Sequence, residues 1–243
     1  MKYEWRVFFP CAQSATEQSE RVGLYMEHLQ TLFEELPSES EERTDEYIVC
    51  KPYFGLKVRG GKKAEVKLRQ EVHEPVCIES YSKHKLGKGN VSDYSEEIVQ
   101  LLTQNNLFED EDHALLQESN IKSVSISKAR KGLHLSSSCY LEICRIHVED
   151  DESDWMSVCI EGDKHEEIEH HVRCSEDACV QLTRQLLSLH DEQFSNAENG
   201  NVQLPVLSGY PTFVLHIAAE QRDSNKEIRN LITRFNRYFA HEE

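Results

Sequence analysis

The chain has 243 residues, of which 38% are hydrophobic, with nine Phe, nine Tyr and two Trp. This composition is sufficient for a packed core and argues against global disorder. The formal net charge of -17 argues against general binding to nucleic acids or to anionic membranes, because their phosphates would be repelled at long range. A small anionic ligand in a locally basic pocket is compatible with the same charge.

The amino-terminal residues and the cysteines predict a cytoplasmic protein. Residues Met1 to Arg6 are charged where a secretory signal peptide needs an apolar run. No stretch approaches the ~18 consecutive apolar residues of a membrane span. The eight cysteines lie among hydrophobic positions without a Cys-x-x-Cys pair, which indicates buried thiols and not a disulfide framework.

One group of residues raises the question of a zinc site. His170, His171, Cys174 and Cys179 lie close together in the sequence. Their spacing fits no zinc-binding pattern well. We therefore favour the simpler interpretation, a polar segment that enters a helix.

Four stretches place hydrophobic residues at helical spacing. They run from Thr16 to Leu36, Asp93 to Asn106, Ser175 to His190 and about Ser224 to His241. A polar acidic run from Pro37 to Glu42 ends the first of them. Each apolar stripe is most simply a helix face against a core, and we attach no ligand to any of them.

Other segments alternate polar and apolar residues with the period of two that marks β-strands. The predicted strands are Lys2–Phe9, Tyr47–Val49, Leu56–Arg59, Ala64–Arg69, Ile121–Arg130, Tyr140–Glu149, Met156–Glu161 and Phe213–Ala218. Turns are predicted at Gly60-Gly61, at Gly132 and in the acidic run from Glu149 to Asp154, and short turns make neighbouring strands antiparallel. The stretch from Val72 to Asn90 is predicted to be a mobile basic loop.

Basic side chains recur on these strands in an otherwise acidic protein. They are Arg6, Lys57, Arg59, Lys67, Arg69, Lys128 and Arg130. Charged strand residues usually face water, so solvated faces on an adaptor domain are one interpretation. If the sheet instead curls into a barrel, the face opposite the apolar one becomes a polar interior. We therefore predict an α+β fold, an antiparallel β-barrel with helices packed outside, in which residues 1–243 form one domain that includes the helix at about 224–241.

A basic barrel interior suits a ligand that carries several phosphates. Arginine makes bidentate contacts with phosphate, while lysine supplies a compact charge. Glu4, Glu161 and Glu65 offer oxygen ligands for a hard divalent cation such as Mg²⁺. These groups together suit polyphosphate hydrolysis by a metal-activated water. No Ser/His/Asp order or Gly-x-Ser-x-Gly elbow supports nucleophilic hydrolysis, and we assign no catalytic residue.

At these residues the sequence resembles the CYTH family, the triphosphate tunnel metalloenzymes, which include thiamine triphosphatases, inorganic triphosphatases and class IV adenylyl cyclases. The family's Glu-x-Glu-x-Lys resembles Lys2-Tyr3-Glu4-Trp5-Arg6, and its Leu-Arg-x-Arg resembles Leu56-Lys57-Val58-Arg59. The similarity continues in Glu65-Val66-Lys67, Lys128-Ala129-Arg130, Cys159-Ile160-Glu161 and Ser208-Gly209-Tyr210. The resemblance implies a tunnel barrel that binds triphosphates together with Mg²⁺ or Mn²⁺.

The sequence departs from the family pattern on the acidic side. Lys2 and Cys159 stand where the family has Glu, and neither Cys144 nor Arg145 supplies a further acid that is usual there. Such losses should weaken metal binding far more than phosphate binding. Two hypotheses remain open. One is a metal-dependent triphosphatase acting on a small-molecule triphosphate or polyphosphate, and the other is a catalytically impaired CYTH-like protein that binds such an anion without efficient turnover.

Overall fold

The computed structural model describes residues 2–11, 20–37, 40–48, 51, 53–59, 63–74, 76–88, 91–105, 107, 123–149, 153–195 and 205–218. The strands in these residues are β1 (Lys2–Pro10), β2 (Glu41–Ile48), β3 (Phe54–Arg59), β4 (Lys63–His73), β5 (Ile78–Gly87), β6 (Ser123–His134), β7 (Cys139–Val148), β8 (Ser153–Gly162) and β9 (Val206–Leu207). The helices are α1 (Glu20–Glu35), α2 (Ser95–Gln104), α3 (His165–Cys174), α4 (Ala178–Ser195) and α5 (Tyr210–Ala218), and a 3-10 turn spans Val91–Tyr94.

Strands β1 to β8 form a closed antiparallel barrel. Hydrogen bonds join them in the order β5-β4-β3-β2-β6-β7-β8-β1, and β1 also pairs with β5, which closes the cylinder. The short strand β9 pairs with β1 at Val7 and Phe8. The predicted α+β fold, an antiparallel barrel with helices around it, is confirmed.

The alternation along β1 separates an apolar outer face from a charged inner face. Trp5, Val7 and Phe9 are fully buried in a core that also includes apolar residues of α1, α3 and α4. Glu4 and Arg6 point the other way and line a cavity inside the barrel. Helices α1, α3 and α4 thus cover the outside of the barrel, while Glu4 and Arg6 face its interior.

Helix α2 covers the opposite side of the barrel in the same manner. Leu56 of β3 and Leu68 of β4 are buried together with Ile98 of α2 in a second hydrophobic core. Lys57 and Lys67, the sequence neighbours of these leucines, line the interior cavity instead. Of the described helices, none combines the length and the hydrophobicity needed to cross a membrane.

Helix α5 occupies part of the barrel interior. The sequence predicts a strand at Phe213–Ala218, and this prediction is wrong, because a short segment that is apolar except for His216 fits either periodicity. The ring of Phe213 stacks on Phe8 with centroids 4.0 Å apart, and Tyr210 stacks on Tyr47 with centroids 5.1 Å apart. The first turn of α5 therefore forms one wall of the interior cavity.

Two further predictions are wrong. The stretch Val72–Asn90, predicted as a mobile loop, contains the end of β4 and all of β5. Because this stretch is polar, the sequence did not indicate strand β5, whose Glu79 and Ser80 are buried inside the protein. Gly132 lies within β6 and not in a turn, since the chain turns at residues 135–138.

Some element boundaries also differ from the sequence expectations. Strand β2 begins at Glu41, inside the predicted acidic break. The predicted turn at Gly60-Gly61 and the predicted helix at about 224–241 lie outside the described residues. The helices predicted at Thr16–Leu36 and Asp93–Asn106 are confirmed as α1 and α2 with slightly shorter bounds.

Gly55 on β3 allows α5 to pack closely against the barrel wall. A Cβ atom at this position would lie 2.6 Å from Cγ of Pro211. We therefore expect Gly55→Ala to lower the free energy of unfolding by about 1–3 kcal/mol, the usual cost of overpacking. At Gly23 of α1 no atom lies within 4 Å of the added Cβ, so Gly23→Ala should raise stability by about 0.5–1 kcal/mol. Urea unfolding measures the free energy of unfolding of both variants. A change in the same direction for both variants would contradict the prediction.

Candidate anion-binding site

A cavity of about 190 Å³ lies inside the barrel, bounded by the strands and by the first turn of α5. Its lining contains seven basic side chains: Arg6, Arg43, Lys57, Arg59, Lys67, Lys83 and Arg130. Three acidic side chains, Glu4, Glu142 and Glu161, line it as well. The cavity is therefore positively charged inside a protein whose net charge is strongly negative.

The structure brings most of the sequence-predicted basic residues to this cavity. Arg6, Lys57, Arg59, Lys67 and Arg130 line it, whereas Lys128 and Arg69 do not. Sequence reasoning missed Arg43 and Lys83. Arg43 shares one face of β2 with Asp45 and Tyr47, but it lies between the predicted acidic break, which ends at Glu42, and the predicted strand, which begins at Tyr47. Lys83 lies on β5, which was predicted as a loop.

Arg6 is the centre of the charged network. Its Nε donates a hydrogen bond to Oε1 of Glu4 at 2.9 Å, and its Nη1 donates to Oε1 of Glu142 at 3.0 Å. Its Nη2 lies 3.8 Å from Oε1 of Glu161. The guanidinium carbon also lies 4.9 Å from the ring centroid of Tyr210, a cation–π arrangement. One buried guanidinium thus contacts all three carboxylates of the cavity.

Both oxygens of Glu4 are engaged by cations. Oε1 accepts from Arg6, and Oε2 accepts a hydrogen bond of 2.8 Å from Nζ of Lys67. Burial opposes ionisation, but the charges of Lys67 and Arg6 overcome it and hold the pKa of Glu4 well below its usual range. Glu4 is therefore a fully paired carboxylate.

Glu142 is paired in the same way. Its Oε1 accepts from Arg6, and its Oε2 lies 2.9 Å from Nη1 of Arg130. Despite the opposing effect of burial, Arg6 and Arg130 lower the pKa of this carboxyl group. The acid that is usual in the CYTH pattern around Cys144 and Arg145 is missing here, but Glu142 lies two residues before Cys144 and on the same side of β7. Glu142 therefore provides a carboxylate on the inner face of β7.

Lys128 lies behind the cavity wall. Its Nζ donates to Oδ2 of Asp45 at 3.1 Å and to the hydroxyl of Tyr47, and it lies 3.8 Å from the ring centroid of Tyr210. Burial lowers the pKa of Lys128 to about 7, although the charge of Asp45 opposes the shift. These contacts make Lys128 part of the support for the two tyrosines.

Arg69 is also engaged away from the cavity. Its Nη1 lies 3.2 Å from Oε1 of the buried Glu79. Glu79 in turn accepts hydrogen bonds from the hydroxyl of Ser208 at 2.5 Å and from the backbone N–H of Gly209 at 3.1 Å. Arg69 thereby helps to hold the segment that leads into α5.

Arginine donors remain available in the wall. The Nε atoms of Arg59 and Arg130 are buried and donate no hydrogen bond within the part of the chain that the structure describes. The Nε of Arg59 is 3.9 Å from Asp45, too far for a hydrogen bond. Buried donors normally have acceptors, and an anion in the cavity is a suitable source of them.

The residues present do not fit a Mg²⁺ or Mn²⁺ site. Ligand atoms of Glu4, Cys159 and Glu161 lie within 4.8 Å of one another. However, both oxygens of Glu4 are held by cations, and burial raises the pKa of the Cys159 thiol far above its usual value, which keeps it protonated. A thiol is in any case a poor ligand for these hard ions. We therefore derive no chemical step through a bound metal.

The other positions relevant to a metal site lie elsewhere. Glu65, predicted as a metal ligand, forms an ion pair of 3.1 Å with Lys57 and is not part of the cluster. Lys2, which stands at a family acid position, pairs with Asp163 at the protein surface at 2.5 Å. The carboxylates of the cavity are thus arranged around arginine and lysine.

Comparisons with known proteins add little to this description. No family model and no curated protein matches the chain. Among solved structures, the chain is similar to HpAC1 from Hippeastrum, an adenylyl cyclase candidate described as having a dominant triphosphatase activity. The TM-score is 0.37 at 8% sequence identity, over 70% of this chain and 83% of that one. This likeness is too weak to carry an argument about function.

Proposed function

We propose that this CYTH-like barrel binds a small-molecule triphosphate or polyphosphate in its basic cavity, without efficient turnover. One observation carries the proposal. Seven basic side chains line the cavity, while Glu4 and Glu142, two of its three carboxylates, are each bound by two of those basic side chains. The cavity is thus equipped to hold an anion and poorly equipped to hold the metal that triphosphate hydrolysis requires.

The basic residues take different parts in this binding. Arg59 and Arg130 offer buried Nε donors that have no acceptor among the described residues, and Lys83 adds charge at the exposed end of the cavity. Lys57 and Lys67 are paired with carboxylates that an incoming phosphate must compete with. Bidentate contacts from arginine and point charges from lysine are the usual means of phosphate recognition.

Lys128 and Arg69 serve this site indirectly in our proposal. Lys128 holds Asp45 and Tyr47, which form the wall beside Arg43 and Arg59. Arg69 holds Glu79, and through it the segment that positions Tyr210. Their substitution should weaken anion binding through loss of the wall geometry.

Metal-dependent triphosphatase activity is the second candidate function. It is favoured by the proximity of Glu4, Cys159 and Glu161, whose ligand atoms lie within 4.8 Å of one another. For a metal ion to use this group, the pairs of Glu4 with Arg6 and Lys67 would first have to open.

Substitution of Arg59 tests the proposed binding. Calorimetric titration with tripolyphosphate in EDTA should show binding by the wild type, and Arg59→Ala should weaken it roughly 10- to 150-fold, which corresponds to about 1.5–3 kcal/mol for charge-assisted hydrogen bonds. Arg145→Ala is the matched control, because both side chains are on barrel strands and both are 42% exposed. Arg145 lies on the outer face against Phe33, so its removal should leave binding unchanged. Failure of the wild type to bind, or an equal loss in both variants, would reject the proposal.

A further inference from the structure

A second cluster of ligand-type atoms lies outside the barrel cavity, where α3 packs beside the start of β7. Sγ of Cys139, one carboxylate oxygen of Glu167 and one ring nitrogen of His171 all lie within 4.8 Å of one another. Cys139 is fully buried, whereas Glu167 and His171 are half-buried. Glu167 and His171 are four residues apart on α3, which places them one above the other on the same helix face.

The surroundings of the cluster orient its carboxylate. The hydroxyls of Ser136 and Ser138, in the turn before β7, each donate a hydrogen bond of 2.6 Å to Glu167. Hydrogen bonds of this kind fix the direction of metal-binding carboxylates in known sites. The two serines therefore hold Glu167 facing Cys139 and His171.

Gly162 leaves space for the thiol. It is the direct partner of Cys139 in the β7–β8 ladder. A Cβ at Gly162 would lie 3.0 Å from Sγ of Cys139 and 3.1 Å from Ile168. With any larger residue at this position the sulfur or Ile168 would have to shift by a few tenths of an ångström.

The three donors match the preferences of zinc. Thiolate, imidazole and carboxylate are the side chains that bind Zn²⁺, and three such ligands leave a fourth tetrahedral position for water. Burial raises the pKa of the Cys139 thiol to about 11, so zinc must displace the thiol proton when it binds. Ligand atoms around a tetrahedral Zn²⁺ are about 3.5 Å apart. Because the three atoms all lie within 4.8 Å of one another, binding would need them to approach by at most roughly 1 Å. Mg²⁺ and Mn²⁺ favour oxygen ligands and are poorly served by this set.

We propose that Cys139, Glu167 and His171 bind a zinc ion that fastens α3 to the barrel. This revises the preference for a simple polar segment derived from the sequence. Of the four residues that raised the zinc question there, His171 belongs to the cluster, while His170, Cys174 and Cys179 do not. The other ligands come from elsewhere on α3 and from β7, so the spacing of those four residues did not indicate the site.

Zinc affinity, measured by competition with a chromophoric chelator, tests the proposal. We expect one Zn²⁺ per wild-type chain, and a loss of affinity of at least roughly 10- to 100-fold in Glu167→Gln and in His171→Gln, since changes even to residues around a metal ligand have effects of this size. His170→Gln and Cys174→Ser are the matched controls, on the same helix but outside the cluster, and should bind zinc like the wild type. No zinc binding by the wild type, or equal losses in ligand and control variants, would overturn the proposal.

Cobalt substitution identifies the sulfur ligand. Co²⁺-loaded wild type should show near-ultraviolet thiolate-to-cobalt absorption, which Cys139→Ser should abolish and Cys159→Ser, at the thiol close to Glu4 and Glu161, should preserve. The reverse pattern would place the metal in the cavity and reject the site on α3. If Cys139→Ser does not fold, the zinc affinities of Glu167→Gln and His171→Gln test the proposed site instead. Arg59→Ala should bind zinc normally, so this result is independent of the proposed anion binding.

Discussion

Replacing Glu4 with Gln should lower the free energy of unfolding by about 3–5 kcal/mol, because the change leaves two cations without their buried carboxylate. Glu4 accepts hydrogen bonds from Arg6 and Lys67, and the Arg6 side chain is only 3% exposed. Urea unfolding at neutral pH measures the loss. Glu34→Gln is the control, since this exposed carboxylate pairs with Arg145 at the surface and should contribute only about 0–1 kcal/mol.

Tripolyphosphate should restore much of the stability lost in Glu4→Gln. An anion in the cavity can take the place of the missing carboxylate beside Lys67 and Arg6, and a ligand at 100 times its Kd stabilises a protein by about 2.7 kcal/mol. Because the variant no longer competes for Lys67, it should bind tripolyphosphate in EDTA at least as tightly as the wild type does. Weaker binding by Glu4→Gln would contradict the view that this carboxylate and the phosphates share the same cations.

Restoring the missing acids should create a response to Mn²⁺ that we expect to be weak or absent in the wild type. The variant Lys2→Glu/Cys159→Glu adds two carboxylates. Residue 2 lies on the same side of β1 as Glu4 but at the protein surface, and Cys159 lies two residues before Glu161 on β8. Oxygen ligands of this kind are what Mg²⁺ and Mn²⁺ require. We expect Mn²⁺ affinity, measured by calorimetry without phosphate, to rise roughly tenfold or more.

The neutral variant Lys2→Gln/Cys159→Gln controls for side-chain size and should show no such gain. Phosphate release from several triphosphates, with and without Mn²⁺, completes the comparison. The wild type should release phosphate slowly or not at all, and turnover by the acidic variant depends additionally on the position of the attacking water. Brisk metal-dependent release by the wild type would overturn the binding-protein proposal in favour of the triphosphatase.

The sequence by itself determined the class of fold and the side of the barrel on which many charges lie. Alternation is a local property of a strand, so the pattern Leu56-Lys57-Val58-Arg59 already separates an apolar outer face from a basic inner face. The same reasoning identified Arg6 and Lys67 as inward-facing. It failed for Lys83, because the polar composition of β5 resembles that of a loop.

Only the tertiary structure decided how these charges are used. The barrel register places Arg6 opposite Cys159 and beside Glu4 and Glu142, so an arginine joins the carboxylates that a metal would otherwise require. Packing also turns the apolar segment after Gly209 into a helix that fills part of the interior. Pairing partners and helix packing depend on residues that are distant in the chain. Residue type and spacing therefore predicted a basic interior, while the long-range contacts determined that its acids bind arginine and lysine.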